Sequence, residues 1–340
     1  TVAAARILEG QRKGSSGEEN RLSWEDFPAT ALSKTYNTDS QVPDSAGTMT
    51  AITTGVKSHM GAIGVAAGDK NNCADSLGKH TQTWLELADA AGLATGIVTT
   101  ARITHATPAA TYAHVPNRNW ENDAALPAQA VAEGCKDIAL QLIEATRDGR
   151  GPSVMLGGGR KEFLTTADND AQLADKRGLR RDGRNLIHAW QQAHPQGAYV
   201  ETAAQLAAHH NNTPVLGLFN YDHMQFDADR KANGAVEPSL ADMTAAAIQQ
   251  LSSNREGYVL MVEGARIDMA NHDGNAFRAL DETIAFSDAV RVAINMTSTT
   301  DTLILVTADH SHTLNFVGYP TRGNPILGKV RGSNSFDGVP

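Results

Sequence analysis

The chain has 340 residues, of which 41% are hydrophobic, enough to form the core of one large α/β domain. Acidic residues outnumber basic ones by 38 to 29, and the formal net charge of −9 disfavours nucleic acid or an anionic membrane as a partner. No run approaches the ~20 apolar residues of a membrane span. The chain shows no signal peptide and does not begin with Met, so we expect a mature or shortened product.

Helices and strands alternate in the first two thirds of the chain. The amphipathic pattern of residues 81–91 predicts a helix that stops at Gly92. The further predicted elements are strands at 96–100, 153–156 and 214–219 and a helix at 131–147. The intervening stretches are rich in charge, Asn and His, and we interpret them as surface excursions from one domain; they are residues 160–199 and 221–237.

The pattern is clearer in the last third. It predicts a helix at 239–252, with Ser239 as its N-cap, a strand at 258–262, a helix at 277–296 and a strand at 302–307. Continuously apolar strands that alternate with helices predict an α/β fold with a mostly parallel central sheet and helices on both faces. We expect residues 1–340 to form a single catalytic domain.

Carboxylates and imidazoles follow two of the predicted strands, where open parallel sheets gather their functional groups. Asp268 and His272 follow the strand at 258–262 and, four residues apart, would share one helical face. Asp309 and His310 follow the strand at 302–307. Each pair alone is compatible with an ordinary surface turn or cap. Two such pairs favour a divalent metal such as zinc, because metal binding compensates for the burial of these groups.

Two other positions suit phosphate chemistry. Ser45 precedes small residues that can begin a helix, whose N-terminus offers free N–H groups to a phosphoryl oxygen. Arg118 could contact two phosphate oxygens through its planar guanidinium group. Thr107 follows another predicted strand and could offer its hydroxyl to a hard ion. Taken in isolation, Ser45 is better explained as an ordinary N-cap, and Arg118 as a member of a surface ion pair.

Six segments resemble alkaline phosphatases, especially the long-loop animal and marine bacterial types. They are LSKTYN at 32–37, DSAGTMTA at 44–51, THATPAATYAH at 104–114, NWEND at 119–123, VEGARID at 262–268 and VTADH at 306–310. The likeness extends from residue 1 to about residue 319. It implies a three-layer sandwich fold and hydrolysis of phosphate monoesters through a phosphoserine intermediate.

The resemblance also implies two zinc ions and one magnesium ion. Ser45 would be the nucleophile and Arg118, oriented by Asp44, would bind phosphate. The implied ligands are Asp309, His310 and Ser45 for the zinc that activates the serine, Asp268 and His272 for the zinc at the leaving oxygen, and Thr107 and Glu263 for magnesium. His105 would lie behind the magnesium ligands, and His312 would orient Asp268.

Several broader properties follow from the same resemblance. Cys73 and Cys135, which composition alone leaves open as free thiols, would form a disulfide. The protein would be secreted, periplasmic or extracellular-facing and would form a homodimer. Its partners would be small-molecule phosphate monoesters, without nucleic-acid binding or a transmembrane segment.

Some features of the family pattern have no counterpart between residues 1 and 340. These are an Asp-Gly-Met motif and a late histidine, so we expect each metal ion to lack one protein ligand and the domain to be incomplete at both ends. Residues from about 313 to 340 would begin a surface insert. Met269 stands where many relatives place His, Lys or Trp near the phosphate.

Two alternatives remain for the function. The first is a related phosphodiesterase or sulfatase, which the combination of Thr107, Glu263 and Arg118 disfavours. The second is a fragment that binds metal or phosphate without catalysis.

Overall fold

A computed structural model describes residues 1–209, 212–315 and 318–330. Among these residues, five strands form one sheet in the order β3-β4-β2-β1-β5, and every neighbouring pair is parallel. The strands are β1 Ala94–Arg102, β2 Val154–Gly158, β3 Ala198–Val200, β4 Val215–Leu218 and β5 Tyr258–Glu263. The predicted parallel sheet is confirmed.

The described residues form fourteen α-helices. They are α1 Val2–Arg12, α2 Ser45–Thr54, α3 Cys73–Leu77, α4 Trp84–Ala90, α5 Ala106–Ala109, α6 Ala128–Ala132, α7 Ile138–Ala145, α8 Arg160–Phe163, α9 Leu186–Ala193, α10 Ala203–Ala208, α11 Asp227–Asn233, α12 Leu240–Leu251, α13 Arg266–His272 and α14 Ala276–Met296. Short 3₁₀ turns occupy Asp123–Ala125 and Arg147–Gly149.

Both faces of the sheet are covered. Successive strand residues point to opposite faces, so Ile97 packs in one core cluster and its neighbour Val98 in another. The first cluster includes residues of α2, α4, α5, α7 and α9, and the second includes residues of α10, α12 and α14. The predicted three-layer arrangement of helices, sheet and helices is therefore present.

Local sequence signals place some boundaries well and others badly. Helix α12 begins after Ser239, whose side chain accepts a hydrogen bond from the N–H of Asp242, as predicted. The single helix predicted at 131–147 is wrong, because the structure has two helices, α6 and α7, in this region. Gly134 lies between them with a φ of +89°, a left-handed conformation that ends a helix.

The strand predicted at 302–307 is also wrong. These residues form no strand ladder with any part of the chain that the structure describes, and Leu303 and Leu305 are 80% and 81% exposed. Hydropathy reports a preference for burial, whereas a strand also needs a neighbouring backbone that supplies hydrogen-bonding partners.

The stretch at 160–199 is more than a surface excursion. It contains α8, α9 and β3, and Arg160 and Arg180 are almost fully buried. Arg160 forms a two-point ion pair with Asp170, and Arg180 forms one with Asp137. Each buried charge is therefore paired, and the prediction that this stretch only covers the surface is corrected.

Two further expectations concern a membrane-spanning segment and the insert near the end of the sequence. None of the helices in the described ranges is both long enough and apolar enough to cross a membrane. Much of the insert predicted at about 313–340 lies outside the described residues, which stop at residue 330 and omit residues 316 and 317.

Candidate active site

Ser45 is the first residue of α2, and the residue before it caps the helix. Asp44 has an extended backbone and accepts a hydrogen bond from the N–H of Gly47. The cap is therefore Asp44, which leaves the Ser45 hydroxyl free of that role. The Ser45 Oγ lies 3.3 Å from Nε2 of His310. The structure thus brings together two predicted site residues that are 265 positions apart.

Asp44 also fixes the predicted phosphate-binding arginine. Nη1 of Arg118 donates to Oδ2 of Asp44 at 3.0 Å, and the N–H of Gly61 donates to the same carboxylate. Burial by itself would raise the pKa of Asp44, but the hydrogen bonds from Gly47, Arg118 and Gly61 hold this pKa below its usual value. Asp44 is therefore a carboxylate at neutral pH and keeps Arg118 beside Ser45.

His310 presents a free lone pair to Ser45. Its Nδ1 lies 3.0 Å from the carbonyl oxygen of Ser311, which can only accept, so Nδ1 carries the proton of a neutral ring. Nε2 is then unprotonated and faces both Ser45 and Oδ2 of Asp309, at 3.4 Å from the latter. A free imidazole nitrogen beside a carboxylate is a donor set suited to zinc.

A second cluster lies on α13 and the chain after it. Nε2 of His272 is 3.3 Å from Oδ2 of Asp268, and Nε2 of His312 is 3.6 Å from Oδ1. The three side chains offer ligand atoms that all lie within 4.8 Å of one another. The N–H of Thr313 donates to Nδ1 of His312, so a neutral His312 carries its proton on the nitrogen that faces Asp268.

Glu263 is the last residue of β5. It is aligned with Thr99 of β1, and both Thr99 and Thr107 hydrogen-bond its carboxylate. Part of the residue remains exposed, but removal of the carboxylate from water, together with the nearby Asp309 and Asp268, raises the pKa of Glu263 to about 7. A bound cation would reverse this shift by compensating the charge.

His105 contacts Arg118 from the other side. Nη2 of Arg118 lies 3.1 Å from Nε2 of His105. Because arginine only donates, Nε2 is the acceptor and Nδ1 carries the proton. Nδ1 is buried and has no hydrogen-bond partner among the residues that the structure describes. A buried donor without an acceptor is the kind of group that an ordered water or an ion-bound water satisfies.

Cys73 and Cys135 are joined by a disulfide, as expected from the resemblance. The bridge links α3 to the turn between α6 and α7.

Three contact residues were not predicted from the sequence. Thr48 donates to the Asp309 carboxylate, and Arg102 forms an ion pair with Glu121 next to the loop of His105. Thr48 lies three residues after Ser45 on α2, so its helical spacing could have placed it on the same face. Glu121 lies in the NWEND segment, but its partner is known only from the fold.

Comparison with known proteins identifies similar chains. The family model described as alkaline phosphatase matches residues 1–339. The tissue-nonspecific alkaline phosphatase isozyme of Gallus gallus is 44% identical, in an alignment that covers 100% of this chain and 66% of the relative. The Homo sapiens isozyme is also 44% identical, with 96% and 63% covered. The chain spans just under two thirds of the length of these relatives.

A solved structure has a similar fold. The alkaline phosphatase of Thermus thermophilus superimposes with a TM-score of 0.67 and is 30% identical, covering 86% of this chain and 52% of that one.

Proposed function

Because the chain belongs to the alkaline phosphatase family, we propose that it hydrolyses phosphate monoesters with Ser45 as the nucleophile. One observation carries the proposal: the Ser45 Oγ stands at the start of α2, 3.3 Å from His310, while Arg118 is held beside it by Asp44. This arrangement combines a nucleophile, an imidazole nitrogen that can hold a metal ion beside it and a phosphate-binding guanidinium group. Phosphoryl transfer depends mainly on such positioning and charge neutralisation.

The donor sets support a site for two zinc ions and one magnesium ion. Asp309 and His310, together with Ser45, would hold one zinc. Asp268 and His272 would hold the other, with His312 orienting Asp268 through its protonated Nε2. Thr107 and Glu263 are oxygen donors that suit magnesium. The raised pKa of Glu263 and the unpartnered Nδ1 of His105 support this assignment, since both groups lack the charge or acceptor that a hydrated cation would supply.

When bound, the metal ions supply positive charge at the attacking and leaving oxygens. The residues of the chain supply the rest. Ser45 forms a bond to phosphorus as the alcohol oxygen of the substrate leaves, which gives a phosphoserine, and water then cleaves that bond to release phosphate. Arg118 contacts the phosphoryl oxygens throughout, and the N–H groups at the start of α2 add further positive potential.

We further propose small-molecule phosphate monoesters as the substrates and a homodimer as the assembly. The disulfide between Cys73 and Cys135 supports a secreted, periplasmic or extracellular-facing location, because disulfides persist in oxidising compartments. We also propose that residues 1–340 all belong to one catalytic domain.

The test is hydrolysis of p-nitrophenyl phosphate by the zinc- and magnesium-loaded protein. Ser45→Ala should abolish turnover, whereas Ser33→Ala, which removes an exposed hydroxyl, should leave it unchanged. Undiminished hydrolysis by Ser45→Ala would refute the assignment of the nucleophile. A panel that includes phosphodiesters and sulfate esters tests the reaction class, and a preference for either over monoesters would contradict the proposal.

A further inference from the structure

Two parallel contacts connect the loop of His105 to the loop of Arg118. The first is the contact between His105 and Arg118 themselves, at 3.1 Å. The second is an ion pair between Arg102 and Glu121. Arg102 lies three residues before His105, and Glu121 lies three residues after Arg118. The ion pair therefore connects the same two chain segments as the contact between His105 and Arg118, at positions three residues away from those two residues.

The ion pair has a geometry that fixes orientation as well as distance. Nε of Arg102 donates to Oε2 of Glu121 at 2.8 Å, and Nη2 donates to Oε1 at 2.6 Å. Thr104, also in the His105 loop, donates its hydroxyl to the Glu121 carboxylate at 2.6 Å. Two parallel charged hydrogen bonds and a third from a hydroxyl leave the carboxylate little freedom to rotate.

Arg102 is itself anchored to the sheet. It is the last residue of β1, and its Nη1 donates to Asp222 at 2.6 Å on the side away from Glu121. The Arg102 and Glu121 side chains are only 15% and 12% exposed, so solvent screens their attraction weakly. The carboxyl end of β1 is therefore a fixed point to which Glu121 is attached.

Arg118 lies in a loop whose following residues are tied to α7, because the N–H groups of Ile138 and Ala139 donate to the carbonyls of Trp120 and Glu121. Its N–H donates to the carbonyl of Gly61 at 2.7 Å, and its side chain is held by Asp44 and His105. In the three residues that follow, Glu121 makes the charged contact that attaches this loop to the sheet. A small displacement of the loop would move the guanidinium group relative to Ser45.

We infer that Glu121 is a positioning residue for phosphate binding. Through its ion pair with Arg102, it holds Arg118 and His105 in a fixed position relative to each other. The inference rests on the proposed function, in which Arg118 binds the phosphoryl group. Glu121 itself does not contact substrate.

The chain offers a matched control for this role. Glu162 is also a buried carboxylate beside Arg102, with Oε1 3.7 Å from Nε, but it belongs to α8 and accepts a hydrogen bond from Asn122 rather than from a residue of the His105 loop. Glu121→Gln and Glu162→Gln are the same chemical change in the same cluster, but burial and the nearby Glu121 raise the pKa of Glu162 to about 7, so Glu162→Gln removes less charge. Only the first breaks the connection between the two loops.

The experiment measures affinity for inorganic phosphate in the metal-loaded protein, both by calorimetry and as competitive inhibition of p-nitrophenyl phosphate hydrolysis. Glu121→Gln should weaken phosphate binding between about tenfold and a hundredfold. The same variant should lower kcat/KM more than kcat, because a misplaced Arg118 weakens substrate binding. Glu162→Gln should change phosphate affinity less than about threefold.

Equal phosphate affinity in wild type and Glu121→Gln would overturn the inference, and so would equal losses in the two variants. If Glu121→Gln does not fold, Arg102→Lys gives the same test, because lysine keeps the charge but cannot contact both carboxylate oxygens. Unchanged phosphate affinity in Arg102→Lys would then overturn the inference that Glu121 positions Arg118. A wild-type protein that binds phosphate without hydrolysing monoesters would instead contradict the proposed function.

Discussion

The hydroxyl of Thr48 lies 2.9 Å from Oδ2 of Asp309 and 3.0 Å from the backbone oxygen of Asp44. A hydroxyl has one proton, so these two acceptors compete for it. The carboxylate is charged and is the stronger acceptor, so we assign the hydrogen bond to Asp309. Thr48 is 4% exposed, and it thereby attaches a proposed zinc ligand to the helix that begins at Ser45.

Replacement of Thr48 by valine should weaken zinc binding at Asp309 and His310. Valine has a similar shape but lacks the hydroxyl that orients the carboxylate, and loss of such a partner typically costs about 10–100-fold in metal affinity. Competition with a chromogenic chelator measures this loss. Thr48→Ser should retain most of the affinity, and Thr54→Val, on the same helix, should retain all of it. Equal zinc affinity in Thr48→Val and wild type would contradict the proposed contact.

His312 should influence the second cluster in a comparable way. Its Nε2 lies 3.6 Å from Asp268, so His312→Ala removes the group that orients this carboxylate. Zinc affinity is expected to fall about 10–100-fold, while the exposed His188→Ala serves as a control with unchanged affinity. Calorimetric titration of the apoprotein with zinc measures the zinc affinity of both variants. Equal zinc affinities in His312→Ala and His188→Ala would contradict the proposed role of His312.

Glu282 should make stability depend on pH. It is 3% exposed, and burial raises its pKa from 4.5 to about 8, although the N–H of Asp227 donates to it. A raised pKa means that the folded state binds the proton more tightly. The stability that this proton contributes is fully present below pH 4.5 and is lost as the pH rises through 8.

Glu282→Gln should therefore match wild type near pH 4.5 and exceed it at pH 8.5 by about 2–4 kcal/mol in the free energy of unfolding. Glutamine keeps an oxygen for the N–H of Asp227 and cannot ionise. Urea unfolding at both pH values gives the measurement, with the exposed Glu256→Gln as control. A difference between Glu282→Gln and wild type that does not grow with pH would rule out this role.

Reduction of the disulfide should destabilise the protein. The bridge between Cys73 and Cys135 closes a loop with a sequence separation of 62 residues, for which loop entropy gives about 4 kcal/mol. The double variant Cys73→Ser, Cys135→Ser should lose a similar free energy of unfolding, and addition of a reductant should lower the Tm of wild type only. If the double variant were as stable as wild type, the bridge would have no stabilising role.

The predictions that depend on neighbouring residues succeeded most often. The cap at Ser239, the apolar strands before residue 264 and the start of a helix at Ser45 each depend on a few consecutive residues, because caps and periodicity act within one or two turns. The prediction of one helix at 131–147 failed for a local reason as well, because Gly134 adopts a left-handed conformation that ends a helix.

The sequence by itself determined the parallel α/β class and the motifs that resemble alkaline phosphatases, because both are properties of short segments. Only the tertiary structure decided that the segment at 302–307 pairs with no described strand, and that Thr48 contacts Asp309 and Glu121 contacts Arg102. These outcomes depend on which distant backbones and charges lie within hydrogen-bonding distance. That proximity is set by the packing of the whole sheet and is not encoded in the spacing along the chain.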